Sequence, residues 1–150
     1  MKTHFVILIS LVLFLSTALA SADTLTAVCK NAKGRMIGKE GPAQGNKPVD
    51  GEDGMRGGQL TVLWNTDRQD AQVVTQGSGG GDPLAEKATT VHLTAESVSF
   101  LVTYAQALWV YTLFIPAKTV LITQHVSGLF MNTGGAIAKS MYAGCAINFQ

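Results

Sequence analysis

The sequence predicts a single all-β domain, either a small antiparallel up-and-down β-barrel of about eight strands or a two-layer sandwich, closed by one disulfide. Apolar and polar residues alternate with a period of two through most of the chain beyond residue 22. Short polar turns separate these segments, and no long stretch shows the period of about 3.6 residues that is typical of an amphipathic helix. The tight succession of strands from Val91 onward favours the barrel over the sandwich.

Three strands are predicted in the first half of the domain. Residues 23–30 alternate so that Leu25 and Cys29 share one side. In residues 60–65, leucine, valine and tryptophan occupy every second position, and residues 71–75 continue the pattern after a polar turn. Each segment has the length and the residue types of a half-buried strand.

Five more strands are predicted in the second half, at residues 90–93, 97–104, 109–115, 119–126 and 141–149. The clearest is 97–104, in which valine, phenylalanine and tyrosine face one way and serine and threonine the other. Pro116 lacks a backbone N–H and ends the strand before it. Residues 83–88 and 135–141 are each expected to form a short helical turn.

Residues 34–58 are predicted to form a long flexible loop, with at most a short strand around Met36 and Ile37. The stretch is rich in glycine and poor in apolar residues, so it cannot bury enough surface to offset the entropy of ordering. A second glycine cluster at 77–83 is a further flexible connection. Because loops on a rigid scaffold often carry recognition, we expect 34–58 to be dispensable for folding and needed for partner binding. Its candidate contact residues are Arg35, Lys39, Lys47, Asp50, Glu52, Asp53 and Arg56.

The first twenty residues have the pattern of a secretory signal peptide. A positive start precedes an apolar run, and Ala18 and Ala20 form a small-residue cleavage pattern, with a cut after Ala22 as the alternative. The apolar run is shorter than the ~20 residues that span a bilayer, and no later segment is long enough. We therefore expect a mature domain of residues 21–150 in the periplasm or the medium, with no transmembrane segment.

Charge argues against two classes of partner. The chain has 11 Lys and Arg against 10 Asp and Glu, and removal of Lys2 with the signal leaves ten of each. These charges are spread along the chain, whereas nucleic acids and anionic membranes select concentrated Lys and Arg. The composition predicts no nucleic-acid binding.

The two cysteines, Cys29 and Cys145, allow a single pairing. In an oxidising compartment an even count is typical of a disulfide, which here joins the first predicted strand to the last. Closing a loop of roughly a hundred residues contributes ~4–5 kcal/mol in the chain-entropy model. The alternative is two buried free thiols.

No motif predicts catalysis, a metal or a cofactor. His92 and His125 lie opposite the apolar faces of their strands, and no further ligands surround them in sequence. The acidic run 50–54 lacks the glycine position and the final glutamate of a helix–loop–helix calcium site. Ser78 does not lie in a G-x-S-x-G motif. A carboxylate pair from distant positions stays open as the basis of a hydrolase.

Five aromatic residues share the apolar faces of the predicted strands: Trp64, Phe100, Tyr104, Trp109 and Tyr111. Core packing is the ordinary role of such residues. In a hollow barrel the same faces line a ligand cavity, and the polar atoms of Trp and Tyr then orient the ligand.

The paired terminal cysteines and the short, closely connected strands give a layout that resembles small bacterial periplasmic β-barrel proteins, lysozyme inhibitors among them. No defining motif of those inhibitors matches residues of this chain, so no functional residue is carried over. The sequence favours a non-catalytic exported binding or inhibitor-like module whose partner is a protein or a small apolar ligand. A structural or envelope-associated subunit and a hydrolase with a dispersed site are the alternatives.

Overall fold

The computed structural model describes residues 23–42, 45–77, 79–128 and 135–150. Within them the chain forms nine β-strands. These are β1 (Thr24–Lys39), β2 (Pro48–Gly54), β3 (Gln59–Asn65), β4 (Asp70–Gln76), β5 (Leu84–Leu93), β6 (Ser97–Tyr104), β7 (Ala107–Phe114), β8 (Thr119–Gly128) and β9 (Gly135–Phe149). The predicted signal peptide and Ser78 lie outside the described residues.

The strands close into an antiparallel barrel. Their order is β2-β1-β3-β4-β5-β6-β7-β8-β9, and β1 also pairs with β9. Strands β1 and β3–β9 therefore form a closed eight-stranded barrel, and β2 is one extra strand. The predicted barrel is confirmed and the sandwich is not formed, because closure of β1 on β9 leaves no second sheet.

The disulfide lies in this closing seam. Cys29 of β1 and Cys145 of β9 are bonded and stand opposite each other in the ladder between the two strands. The bond therefore ties the first barrel strand to the last at the place where an open sheet would leave two edges.

The predicted loop at 34–58 is wrong for most of its length. The second half of β1 and all of β2 form a hairpin in which Lys33 to Lys39 pair with Gly54 back to Pro48. The first half of β1 pairs with β3 along the same edge. Strands β2 and β3 therefore lie end to end beside β1, and residues 55–58 separate them.

The glycines of this region allow neighbouring strands to approach closely. For this reason the glycine-rich composition, which predicted a loop, occurs here in a strand. A Cβ atom on Gly34 would lie 1.9 Å from the carbonyl oxygen of Ser140 on β9, and one on Gly38 would lie 2.4 Å from that of Ala136. At both positions glycine is required by the close approach of a neighbouring backbone. A glycine-rich composition is compatible with a strand where the backbones touch.

The two predicted helical turns are also wrong. Residues 83–88 belong mostly to β5, where Ala85 pairs with Val74, and residues 135–141 begin β9, where Ala138 pairs with Ile37. Both segments gain backbone hydrogen bonds that outweigh a weak local preference: 84–88 with the preceding strand β4, and 135–141 with β8 and the distant β1. No helix long and apolar enough to cross a bilayer occurs among the described residues.

Inward side chains fill the barrel unevenly. We call the end of the barrel where β1 turns into β2 and β6 turns into β7 the upper end. The opposite, lower half is packed with fully buried apolar residues: Leu25, Ala27, Val62, Val73, Val98, Phe100, Leu113 and Val120. Towards the upper end, polar and charged side chains replace apolar ones on the inward face.

Candidate functional site

The upper half of the lumen is built from two adjacent inward rows. In the row nearer the upper end, Trp109 of β7 pairs with Gln124 of β8, which pairs with Lys139 of β9. In the row below it, Tyr111 pairs with Ile122, which pairs with Met141. Because side chains alternate faces along a strand, both rows point into the barrel.

These rows surround a cavity of about 220 Å³, which we call the upper cavity. Its walls are Asp53, Gly54, Met55, Thr75, Gly77, Trp109, Tyr111, Ile122, Gln124, Lys139 and Met141. Gly34, the partner of both Met141 and Asp53 in the ladders, contributes no side chain to the lower row. The lumen is therefore open where a larger residue would project into it.

Two hydrogen-bonding groups in the cavity wall have neither a hydrogen bond nor an ion pair among the described residues. They are the indole nitrogen Nε1 of Trp109 and the hydroxyl of Tyr111, and both are buried. The indole N–H is a donor only, while the tyrosine hydroxyl can donate or accept. A buried polar group without a partner costs about 1–3 kcal/mol, so such groups in a folded protein call for an explanation.

An ion pair spans the cavity from β2 to β9. Lys139 Nζ lies 2.6 Å from Asp53 Oδ2, and the two side chains are 23% and 25% exposed. Partial burial weakens solvent screening, so this pair is stronger than an exposed one. The cation of the cavity wall is thus already neutralised by a neighbouring carboxylate.

A second carboxylate stands behind the aromatic wall. The ladder between β5 and β6 runs only from Thr89 opposite Leu101 to Leu93 opposite Val98. Beyond it, towards the upper end, the hydroxyl of Tyr104 donates a hydrogen bond to Glu86 Oε1. The other oxygen, Glu86 Oε2, is buried and has no hydrogen-bond partner among the described residues.

Three aromatic rings connect this carboxylate to the cavity. The Tyr104 and Trp109 ring centroids are 5.2 Å apart, and those of Trp109 and Tyr111 are 6.3 Å apart. Burial, followed by the hydrogen bond to Glu86, raises the pKa of Tyr104 well above its ordinary value. Burial is also the largest cause that raises the pKa of Tyr111, with smaller contributions from Tyr104 and Glu86. Both phenols therefore stay neutral and can donate hydrogen bonds.

The five predicted aromatic residues divide between core and cavity. Trp64 and Phe100 pack edge to face with centroids 5.7 Å apart, and Trp64 Nε1 donates to the carbonyl of Arg68. These two are core residues of the lower half. Trp109 and Tyr111 line the upper cavity, and Tyr104 packs against Trp109.

The predicted recognition residues of 34–58 do not form one surface. Arg35 and Asp50 form an exposed ion pair at 2.7 Å on the outer face, whereas Asp53 points into the barrel. The remaining four, Lys39, Lys47, Glu52 and Arg56, are exposed. Strand geometry places successive residues on opposite faces, so a set that is contiguous in sequence is split.

Sequence reasoning missed several residues of the site. Gln124 and Lys139 are polar residues at inward positions of β8 and β9, where the alternation otherwise places Ile122 and Met141. For Gln124, a polar residue at an otherwise apolar inward position of a predicted strand was the available signal. Lys139 and Glu86 gave no such signal because residues 135–141 and 83–88 were predicted as helical turns.

A larger apolar groove of about 630 Å³ lies at the upper end, around Ile37, Leu108, His125 and Ala138. These four residues are ladder partners across β1, β9, β8 and β7. None of the buried polar atoms that lack a hydrogen bond among the described residues belongs to this groove. His92 and His125 are exposed. No group of three or more potential metal ligands occurs in the described part of the chain.

Comparison with protein-family models, with curated proteins and with solved structures found no match. Any function is therefore argued from the geometry of the barrel.

Proposed function

We propose that this protein is an exported, non-catalytic binding protein that holds a small molecule in the upper cavity of its barrel. The observation that carries the proposal is a pair of buried groups without a partner among the described residues, Trp109 Nε1 and the Tyr111 hydroxyl, on two side chains that line the cavity. A bound ligand would supply the missing hydrogen bonds and remove the cost of burying these groups.

The shape of the barrel supports a small ligand. Eight-stranded barrels have interiors that are filled by side chains or that hold one small ligand. A cavity of about 220 Å³ is below the ~300–1,000 Å³ typical of sites for drug-sized ligands and has the volume of about seven waters. We therefore expect a ligand of about ten non-hydrogen atoms.

The lining supports a ligand with an apolar body and a polar end. Met55, Ile122 and Met141 offer apolar surface, and Trp109, Tyr111 and Gln124 offer hydrogen bonds. Small-molecule sites are usually lined by apolar side chains with a small number of polar groups among them. The signal peptide predicted from the sequence supports the exported location.

Native mass spectrometry of the mature protein, purified from the periplasm or medium of the producing cell, tests the proposal. We expect extra mass that is lost on denaturation, and loss of that mass in Trp109→Phe and Tyr111→Phe. Tyr142→Phe, which alters an exposed tyrosine, is the matched control and should keep the mass. A bare wild-type barrel, together with an unchanged Trp109 fluorescence on adding small-molecule extract of those cells, would contradict it.

A further inference from the structure

We propose that the ligand of the upper cavity is a small organic cation, an ammonium compound that also carries a hydrogen-bond-accepting oxygen. This inference rests on the proposed function and adds the chemical class of the ligand. Three features carry it: an incompletely paired carboxylate behind the aromatic wall, the aromatic rings themselves, and a lysine of the lining that is already neutralised.

Glu86 supplies the first feature. Its Oε1 accepts from the neutral hydroxyl of Tyr104, and its Oε2 is buried without a hydrogen-bond partner among the described residues. None of the ion pairs in the described part of the chain includes Glu86. Its neighbour in sequence, Lys87, pairs with Asp70 instead. A buried carboxylate is costly unless a positive charge lies near it, so the site favours a cationic occupant.

The aromatic cluster supplies the second feature. Trp109 and Tyr111 line the cavity with their ring centroids 6.3 Å apart, and Tyr104 packs against Trp109 with a centroid separation of 5.2 Å. Aromatic rings attract cations within about 6 Å of their centroids, and tryptophan does so best. Desolvation strengthens such cation–π contacts, and aromatic cages hold quaternary ammonium ligands in this way.

Lys139 supplies the third feature. It is the cationic side chain of the cavity lining, and its ammonium lies 2.6 Å from Asp53. Binding an anion there would require breaking a partly buried ion pair, and it would bring the anion towards Glu86. Asp53 and Lys139 of the cavity lining cancel each other's charge, and the Glu86 carboxylate behind the aromatic wall adds a negative one.

Trp109 adds the requirement for an oxygen. Its indole N–H donates and cannot accept, so a cation without an acceptor would leave it unpaired. The hydroxyl of Tyr111 can accept from an ammonium N–H or donate to an oxygen. A hydroxyl, ether or carbonyl oxygen a few bonds from the cationic centre therefore completes the site.

Three probes of nearly the same shape test the inference. Choline carries a quaternary ammonium and a hydroxyl, 3,3-dimethylbutan-1-ol replaces the charged nitrogen by carbon, and 3,3-dimethylbutanoate carries a negative charge. Isothermal titration of the ligand-free wild type should give a Kd for choline at least tenfold lower than for either of the others. Equal or tighter binding of the neutral alcohol or of the acid would overturn the inference.

Two charge-removing variants test whether Glu86 is the source of the preference for choline. Glu86→Gln keeps an acceptor for Tyr104 and removes the charge, so it should abolish the preference for choline over the neutral alcohol. Glu52→Gln removes an exposed charge on the outer face and should leave the preference intact. An unchanged preference in folded Glu86→Gln, judged by circular dichroism, would overturn the role of Glu86.

The outcomes separate this inference from the proposed function. If the alcohol or the acid binds and quenches the tryptophan fluorescence of the wild type but not that of Trp109→Phe, the barrel binds small molecules and the cation class is wrong. If none of the three probes binds and the purified protein carries no retained mass, both proposals fail.

Discussion

Lys139 on β9 and Asp53 on β2 meet at 2.6 Å inside the upper end of the barrel, although no short-range pattern connects them. They meet because both flank β1: Met36 pairs with Lys139 on one side, and Gly34 pairs with Asp53 on the other. The extra strand β2 thus contributes a buried charge to a cavity otherwise built by the barrel strands.

Asp53→Asn should lower the free energy of unfolding by about 1–3 kcal/mol, because it leaves the partly buried ammonium of Lys139 without its counter-charge. Asp50→Asn is the matched control, since its ion pair with Arg35 is exposed, and it should cost less than about 1 kcal/mol. Urea unfolding of both variants measures the difference. Equal losses would mean that the inner pair contributes no more than a surface pair.

Replacing both Cys29 and Cys145 by alanine should lower the free energy of unfolding by about 2–5 kcal/mol. The loss follows because the unfolded chain is released from a closed loop and the β1–β9 seam loses its covalent tie. Urea unfolding with and without reductant gives the value. Thiol labelling of the denatured, unreduced wild type should find no free thiol, and two reactive thiols would contradict the bond.

Gly34→Ala should destabilise the barrel by more than about 1 kcal/mol, because its Cβ would lie 1.9 Å from the carbonyl oxygen of Ser140. The β1–β9 seam must then move apart. Gly51→Ala in β2 is the control, since nothing lies within 4 Å of its added Cβ. Thermal unfolding compares the two, and a loss in Gly51→Ala as large as in Gly34→Ala would show that close strand contact is not the cause.

Tyr111→Phe should raise the stability of the ligand-free barrel by about 1 kcal/mol while weakening ligand binding, because it removes a buried hydroxyl that has no partner among the described residues. A gain in stability with a loss of function is typical of a residue kept for binding. Thermal unfolding and titration with choline measure the two effects. A loss of stability would indicate that the hydroxyl has a structural partner.

Stability should fall as pH rises above about 10, the ordinary pKa of tyrosine. Burial raises the pKa of Tyr104 and of Tyr111 in the folded barrel, so above pH ~10 the unfolded state releases protons that the folded state retains. Below that pH both phenols are protonated in either state and cause no pH dependence; above it they lower the free energy of unfolding. Urea unfolding from pH 8 to 11 should show a smaller loss in the double variant Tyr104→Phe/Tyr111→Phe; an equal loss would assign the effect to other groups.

Much of the barrel follows from local pattern. The strands around Trp64, Phe100, Trp109 and Ile122 were predicted because side chains of a half-buried strand alternate in a fixed period of two. The disulfide was predicted because only Cys29 and Cys145 can pair. Neither inference requires knowledge of which strands are neighbours.

The predictions that failed are those in which pairing with another strand decides the local structure. The stretch 34–58 has the composition of a loop, yet β9 and β2 supply hydrogen bonds to both edges of its first part. Residues 135–141 are drawn into β9 by the distant β1 in the same way, whereas 84–88 join β5 by pairing with the preceding strand β4. A ladder partner far along the chain leaves no trace in local composition.

The fold class, the inward parity of most strands and the disulfide follow from local features of the chain, because each depends on side-chain alternation or on a count of cysteines. The gathering of Trp109, Tyr111, Asp53, Lys139 and Glu86 at one end of the barrel is a property of the folded molecule alone. The register between strands and the closure of β1 on β9 set that arrangement, and both are long-range backbone hydrogen-bonding choices. Alternation specifies which way a side chain points, and register specifies what it meets.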